Sequence, residues 1–569
     1  MDFVLVLHSH LPYVLNHGRW PHGSDWLCEA AIDTYLPLYD RIAGLADRGV
    51  KAPITLGVTP VLANQLASPA FRVELERYFA QRLEHCLEAR PSLQASDPDL
   101  VPLVGWWESH LIRLRDLFRS LDGDLVAAFR SLQDRGIIEI ISSAATHGYL
   151  PLLARDESIR LQLGTGRAEH KRLFGADPKG CWLPECAYRP SGRWEPIPGK
   201  RPAEDRLGID EFLSAAGYSF FITDAHLAHA GVPLEQYGQE VPGAERFNIE
   251  VEMLPETGTI SERRTPYRAY RATAGELRKQ VSALVRDPRS TRQVWSRQQG
   301  YPGDEWYLEF HKIRWPHGLK LWRVTGPELD LGLKRSYEPA RAVERARSHA
   351  SHFAGVLEEI ARGQAAKDAV VVAPFDTELF GHWWFEGVDF MAALYGELGK
   401  RRAIKPVTGS DHLRAHPPGS AIRLAPGSWG ARGDYSMWLN PDTAWTWERI
   451  WALEDAFWDA AARWIGDDGA HTVLAQAARE LLLVQSSDWQ FIISTGVVRD
   501  YGERRFVLHA EALEGLLGAL KSDLEAGRRM AAELGRRDDL FPNVLDDVAA
   551  ALVRRPKAAK KRAVAKARR

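Results

Sequence analysis

Short apolar runs that each stop at polar residues of catalytic type recur along the first three quarters of this chain, and they constrain its fold more than any other feature. Phe3–Leu7 runs into His8-Ser9-His10, Ile54–Val58 into Thr59-Pro60, and Ile137–Ile141 into Ser142-Ser143 and then His147. Cys181–Leu183 leads to Pro184-Glu185, Phe220–Thr223 to Asp224-Ala225-His226, and Ala369–Ala373 to Pro374-Phe375-Asp376. Segments with helical periodicity lie between several of them, for example Tyr35–Leu45 and Ala342–Ile360. Apolar strands alternating with helices read as a parallel sheet covered on both faces. Polar side chains gathered at the carboxyl ends of such strands are where α/β barrels place their active sites. Six or seven strands of this kind predict an irregular or incomplete barrel.

Around that unit, residues 65–130 read as a helical, charge-rich insertion between two barrel strands. Residues 191–206 and 228–246 are rich in proline, glycine and charge and read as loops. From about 440 onward the pattern is wholly helical. Asn440-Pro441 offers an N-cap followed by a proline at the first helical position. Trp447, Trp451, Trp458 and Ile465 fall near one face, which predicts core packing. The expected division is a catalytic domain over 1–430, a helical domain over 431–553, and a basic, disordered tail over 554–569.

Composition narrows the function. The 569 residues, 45% hydrophobic and 26% charged, suit a globular protein of one large or two to three smaller domains. No apolar run approaches the ~20 residues needed to cross a bilayer, and no secretory signal is visible, so a cytoplasmic protein with no membrane partner is expected. Cys28, Cys86, Cys181 and Cys186 do not make a disulfide framework. Nine of the 73 basic residues lie in 554–569, which has no acid, leaving 64 basic against 75 acidic residues and a net charge of −11 on the body. A nucleic-acid enzyme would carry its positive charge on the folded body, so no nucleic-acid partner is expected. The chain also holds 20 Trp, 16 Tyr and 20 Phe. Flat apolar rings with polar edges suit the stacking of sugars.

Two segments carry the chemistry. Gly180-Cys-Trp-Leu-Pro-Glu185-Cys-Ala-Tyr188 and Ala373-Pro-Phe-Asp376-Thr-Glu378-Leu-Phe-Gly-His382-Trp383-Trp384 each place a carboxylate just past an apolar strand, among aromatic rings. Two such groups about 5–5.5 Å apart can run a retaining glycosyl transfer, one as nucleophile and one as general acid/base. Nearby rings would raise the pKa of the acid partner. On pattern alone the same carboxylates can also be read as structural, capping helices or pairing with arginine.

Five segments occur in order: His8-Ser-His10-Leu-Pro12-Tyr13, Gly57-Val-Thr-Pro60, Trp182-Leu-Pro-Glu185, Phe375-Asp376-Thr-Glu378-Leu-Phe-Gly-His382-Trp-Trp and Ser486-Ser-Asp488-Trp489-Gln490. They closely resemble the signature regions of glycoside hydrolase family 57. Further segments, among them Ala145-Thr-His147-Gly-Tyr149, Thr265-Pro-Tyr267-Arg268, Gly300-Tyr-Pro-Gly303-Asp304 and Gly427-Ser-Trp429-Gly430, are similar to its members that branch α-1,4-glucans. The resemblance implies an α/β fold, a distorted (β/α)7 barrel with an inserted helical region and a C-terminal all-helical domain. It implies Glu185 as nucleophile and Asp376 as general acid/base, with Arg286, Gly303, Trp429 and Asp488 contacting the glucan. Trp438 would be a second stacking platform, and His10 and His147 would bond sugar hydroxyls. Tyr237, on the loop Gly231–Glu240, would help to exclude water. The 191–206 stretch is longer than the comparable loop, and the tail falls outside the family pattern.

Other chemistries find less support. His8-x-His10 invites a metal, but no HExxH helix or CxxC pair accompanies it, and Cys181 and Cys186 read as packing residues. No glycine-rich phosphate loop appears, so neither metal nor cofactor is expected. An α-amylase or a 4-α-glucanotransferase would use the same carboxylates, and a non-catalytic glucan-binding protein would not need them. A monomer acting on an α-glucan is the expected state.

Overall fold

The computed structural model of the protein describes residues 1–231, 264–272, 280–296, 300–326 and 328–553. Tyr237, most of 228–246 and the tail lie outside them. Seven parallel strands form the centre: β1 (Asp2–Ser9), β2 (Ile54–Val58), β3 (Glu139–Ser143), β4 (Gly180–Trp182), β5 (Phe220–Thr223), β6 (Val281–Val285) and β7 (Val370–Asp376). They lie side by side in the order β7-β1-β2-β3-β4-β5-β6. Just past β6, Asp287 N–H donates to the Val372 carbonyl of β7 at 2.8 Å, and this short contact closes the ring. The antiparallel strand Ala269–Ala272 flanks β6, and Ala421–Ile422 lies beside it. The barrel is therefore distorted on this side.

Strand alternation explains where the polar side chains point, since residues two apart share a face. Val4, Val6, Ile222, Leu284, Val370 and Val372 belong to a small apolar cluster separate from the large one under the helices, and this cluster fills the barrel interior. One further step of the alternation carries His8, Asp224 and Arg286 onto the interior face, and two steps from Val372 carry Asp376 there. His8 and Asp376 are paired in register across β1 and β7.

The insertion between β2 and β3 holds the long helices Pro69–Ser96 and Val101–Ser120. The C-terminal region is built of helices Ala444–Trp464, His471–Val484, Asp488–Thr495, Arg499–Ser522, Leu524–Leu534 and Val544–Leu552. Trp447, Trp451 and Trp458 are buried as expected, and two of them bind the barrel directly. Trp451 Nε1–H donates to the Leu152 carbonyl at 2.8 Å and Trp458 Nε1–H to Ser158 Oγ at 2.9 Å.

Two expectations are corrected. The first helix of this region begins at Ala444, not behind an Asn440 cap. Asn440 is buried and turns its Nδ2 inward to the Ser436 carbonyl and Ser494 Oγ, each at 2.8 Å, and Pro441 lies in the turn before the helix. The 191–206 stretch is not an irregular loop, because Gly192–Trp194 and Glu204–Arg206 form an antiparallel hairpin. Trp194 is buried edge-on to Trp451 and donates to the Pro151 carbonyl at 2.9 Å, while Arg201 pairs with Asp455 at 2.7 Å. The hairpin thus clamps the C-terminal helix Ala444–Trp464 to the barrel.

Candidate active site

A cleft of about 230 Å³ opens at the carboxyl ends of the strands, lined by His8, His10, His147, Glu185, Asp376, Glu378, Trp383, Trp429, Trp438 and Asp488. Glu185 follows β4 in a left-handed conformation (φ 60°, ψ 25°), and Cys186 behind it is also left-handed. Such backbone is strained for non-glycine residues and here turns the carboxylate into the cleft. Trp429 Nε1–H donates to Glu185 Oε2 at 2.9 Å. His147, itself left-handed, brings Nδ1 to 3.7 Å from Glu185 Oε1.

The imidazoles form one system. His8 stacks on Trp182 at 4.4 Å, and His10 stacks on His147 at 4.0 Å. His8 Nε2 and His147 Nε2 share a hydrogen bond of 3.0 Å. His10 Nε2–H donates to both Asp488 oxygens at 3.1 and 3.0 Å, while its Nδ1 meets Thr59 Oγ1 at 3.0 Å. The two residues that invited comparison with a metal site thus engage a histidine and a carboxylate.

Asp488 comes from the C-terminal helical region. The turn before it is pinned by Ser487 N–H to the His147 carbonyl at 3.2 Å and by Ser487 Oγ to His147 Nδ1 at 3.0 Å. Glu378 is buried beside the cleft, where it accepts from Tyr35 O–H at 2.5 Å and from His10 N–H at 3.2 Å.

Burial dominates the electrostatics. It pushes Glu185 up to about 8 and Asp376 up to about 7. The Trp429 hydrogen bond partly relieves Glu185, whereas the charges of Arg286 and His10 partly relieve Asp376. The charge of Asp376 adds to the cost of ionising Glu185. Burial works upward on Asp488 as well, but the adjoining His10 holds it below the usual range. His8 and His147 are pushed well below the usual imidazole range by burial and are neutral donors and acceptors.

The structure brings together Glu185, Asp376, His10, His147, Trp429, Trp438 and Asp488, all expected from the sequence. Arg286 is fully buried and does not line the cleft. It donates to Asp224 Oδ2 at 2.8 Å and lies 5.4 Å over the Trp429 ring, behind the cleft wall. Gly303 is exposed at the end of the turn Tyr301–Gly303, whose Tyr301 is buried, and it does not line the cleft. Trp438 is 1% exposed and near-parallel to Tyr149 at 4.7 Å, which makes it packed floor more than open platform. The open ring is Trp383, 55% exposed, which the sequence reading quoted without a role. His8, weighed from the sequence only as a metal ligand, is placed here by its strand parity with Val6, and Glu378, quoted without a role, reaches the cleft from the turn Thr377–Leu379 that follows Asp376.

Two carboxyl groups with raised pKa values, set among tryptophans at the carboxyl ends of barrel strands, suit the acid/base chemistry of a glycoside-cleaving enzyme. Residues 4–425 match the model of glycosyl hydrolase family 57, and residues 450–547 match that of the C-terminal region of 1,4-alpha-glucan branching enzymes. The chain belongs to glycosyl hydrolase family 57. It is 38% identical to the 1,4-alpha-glucan branching enzyme of Thermococcus kodakarensis over 95% of this chain and 77% of that one. The crystal structure of that enzyme superposes with a TM-score of 0.87 over 96% of both chains. The branching enzyme of Pyrococcus horikoshii, at 37% identity, gives 0.84 over 96% of both. An α-amylase of Thermotoga maritima, at 27% identity, gives 0.77 over 96% of this chain and 99% of its own.

Proposed function

We propose that the protein is a 1,4-α-glucan branching enzyme. The observation that carries this reading is the match of residues 450–547 to the branching-enzyme C-terminal region, together with the seat that Asp488 of that region takes on His10 in the cleft. Glu185 attacks the anomeric carbon of an α-1,4 bond while Asp376 gives its proton to the departing oxygen. A covalent glycosyl-enzyme and a shortened chain result. Asp376, now a base, takes the proton from the 6-hydroxyl of an acceptor chain as that oxygen displaces Glu185, forming an α-1,6 branch. Water in place of the acceptor would give hydrolysis, so the cleft must place the acceptor and exclude solvent.

His10 and His147 bind hydroxyls beside the cleaved bond, and Trp429 both holds Glu185 and presents its ring. Tyr237, in a segment outside the described residues, is assigned the exclusion of water by the family resemblance. We further infer a division at 430/431 between catalytic and helical domains, and a cytoplasmic monomer. Among the described residues no helix is long and apolar enough to cross a membrane.

Proton NMR of amylose incubated with the enzyme tests the reading. Growth of the α-1,6 anomeric signal with few new reducing ends is expected. Reducing ends without branches would make the protein an α-amylase instead, and chain redistribution without either would make it a 4-α-glucanotransferase.

A further inference from the structure

A hollow of about 690 Å³, larger than the cleft itself, lies on the other side of the segment His382–Phe385. Trp383 faces the cleft and Phe385 lines the hollow, so the two spaces share one wall. They are joined at Asp33 of the hollow, whose Oδ2 lies 3.6 Å from Nδ1 of His382 in the cleft.

The floor of the hollow is aromatic. Trp106, on the inserted helix Val101–Ser120, is parallel to His110 at 5.3 Å and edge-on to Tyr337 and Phe385 at 6.0 Å each. Trp106, His110 and Phe385 are packed together and mostly buried, yet each keeps part of its surface open to the hollow. Burial drops His110 to about 4, so that ring is a neutral imidazole with one donor and one acceptor.

The charges around this floor cancel. Arg41, Arg113 and Arg347 face Asp33, Glu344 and Asp389. Arg41 Nε–H donates to Asp389 Oδ1 at 2.8 Å, and Arg41 and Arg113 both donate to Asp40 Oδ2, at 2.9 and 3.0 Å. An anion such as a sugar phosphate would find little net positive potential here. A neutral polyhydroxyl ligand would find flat rings for its CH faces and fixed donors and acceptors for its hydroxyls.

We propose that this hollow is a second binding site for an α-1,4-glucan chain, holding one strand of the polymer beside the strand that reacts in the cleft. The proposal rests on the α-glucan reading of the cleft. Its use follows from the reaction: donor and acceptor are segments of one large polymer, so a hold on a neighbouring chain raises the local concentration of both.

The test uses the full-length Glu185→Gln protein, which binds without turning over, and maltoheptaose and amylose as probes. Hydrogen exchange on adding maltoheptaose should slow at 101–120 as well as around the cleft. In affinity electrophoresis through amylose gels, Trp106→Ala should weaken retardation about tenfold, Trp106→Phe should retain most of it, and the exposed rim change Arg347→Ala should weaken it about twofold. Arg347→Ala and the exchange measurement keep the test open if Trp106→Ala does not fold. Protection at the cleft alone, with retardation unchanged by the folded variants, would overturn the second site and leave the cleft reading standing. Protection nowhere would overturn both.

Discussion

Glu185 stands where backbone strain, hydrogen bonding and burial meet. A left-handed non-glycine residue costs about 1–3 kcal/mol, and here two in succession aim one carboxylate at the Trp429 N–H. Replacing the nucleophile as Glu185→Gln, or the acid as Asp376→Asn, should lower kcat on amylose by about 10⁴-fold with the fold intact by circular dichroism. The active form of the pair holds one proton. Burial places the two carboxyls near 7 and 8, so kcat/KM should be bell-shaped with a narrow optimum between those values. Below it both groups are protonated and the nucleophile is lost; above it both are ionised and the acid is lost. Trp429→Phe removes the hydrogen bond that favours ionised Glu185, which should raise that group, already the higher of the two, move the alkaline limb of the profile to higher pH and cut kcat about tenfold. Tyr237→Ala should raise the share of reducing ends over α-1,6 linkages in the NMR assay, and an unchanged ratio would remove that residue from the mechanism.

At the scale of elements, the strand ends were legible because a parallel strand buried on both faces must read as an apolar run, and catalytic groups must interrupt it where the barrel opens. Six strands announced themselves in this way. β6 did not: Val281-Ser-Ala-Leu-Val285 includes a serine and is followed by Arg286, which lies over the Trp429 ring. The buried position of Arg286 could not be read from the chain because it is a product of the ring closing at Val372. The 191–206 segment misled for a similar reason, since its proline and charge signal a loop while its partners lie some 250 residues away on the helix Ala444–Trp464. Trp194→Ala should therefore cost about 3–5 kcal/mol, read as a lower denaturation midpoint, with KM for short maltooligosaccharides little changed. A rise in KM without loss of stability would instead mean that the hairpin touches substrate.

At the scale of the whole molecule, the barrel and helical region are joined by buried carboxyls as well as by tryptophans. Glu454 accepts from Ala154 N–H at 2.8 Å and from Gln485 Nε2–H at 3.0 Å, and burial pushes it up to about 7. The unfolded chain ionises this group near its ordinary value while the folded chain keeps it protonated, so its contribution to stability falls as pH rises from about 4.5 to 7 and is flat beyond. Glu454→Gln should accordingly gain about 1–3 kcal/mol relative to the parent between pH 5 and pH 8, measured as the difference in unfolding free energy at the two values. Equal pH slopes would show that the carboxyl is ionised in the folded state. The same joint has a consequence in time. β7 ends at Asp376, but Asp488 and its turn arrive more than a hundred residues later. During synthesis both carboxylates are in the cell while the cleft still lacks its far wall. The cleft is thus complete only once the C-terminal helices have left the ribosome and docked.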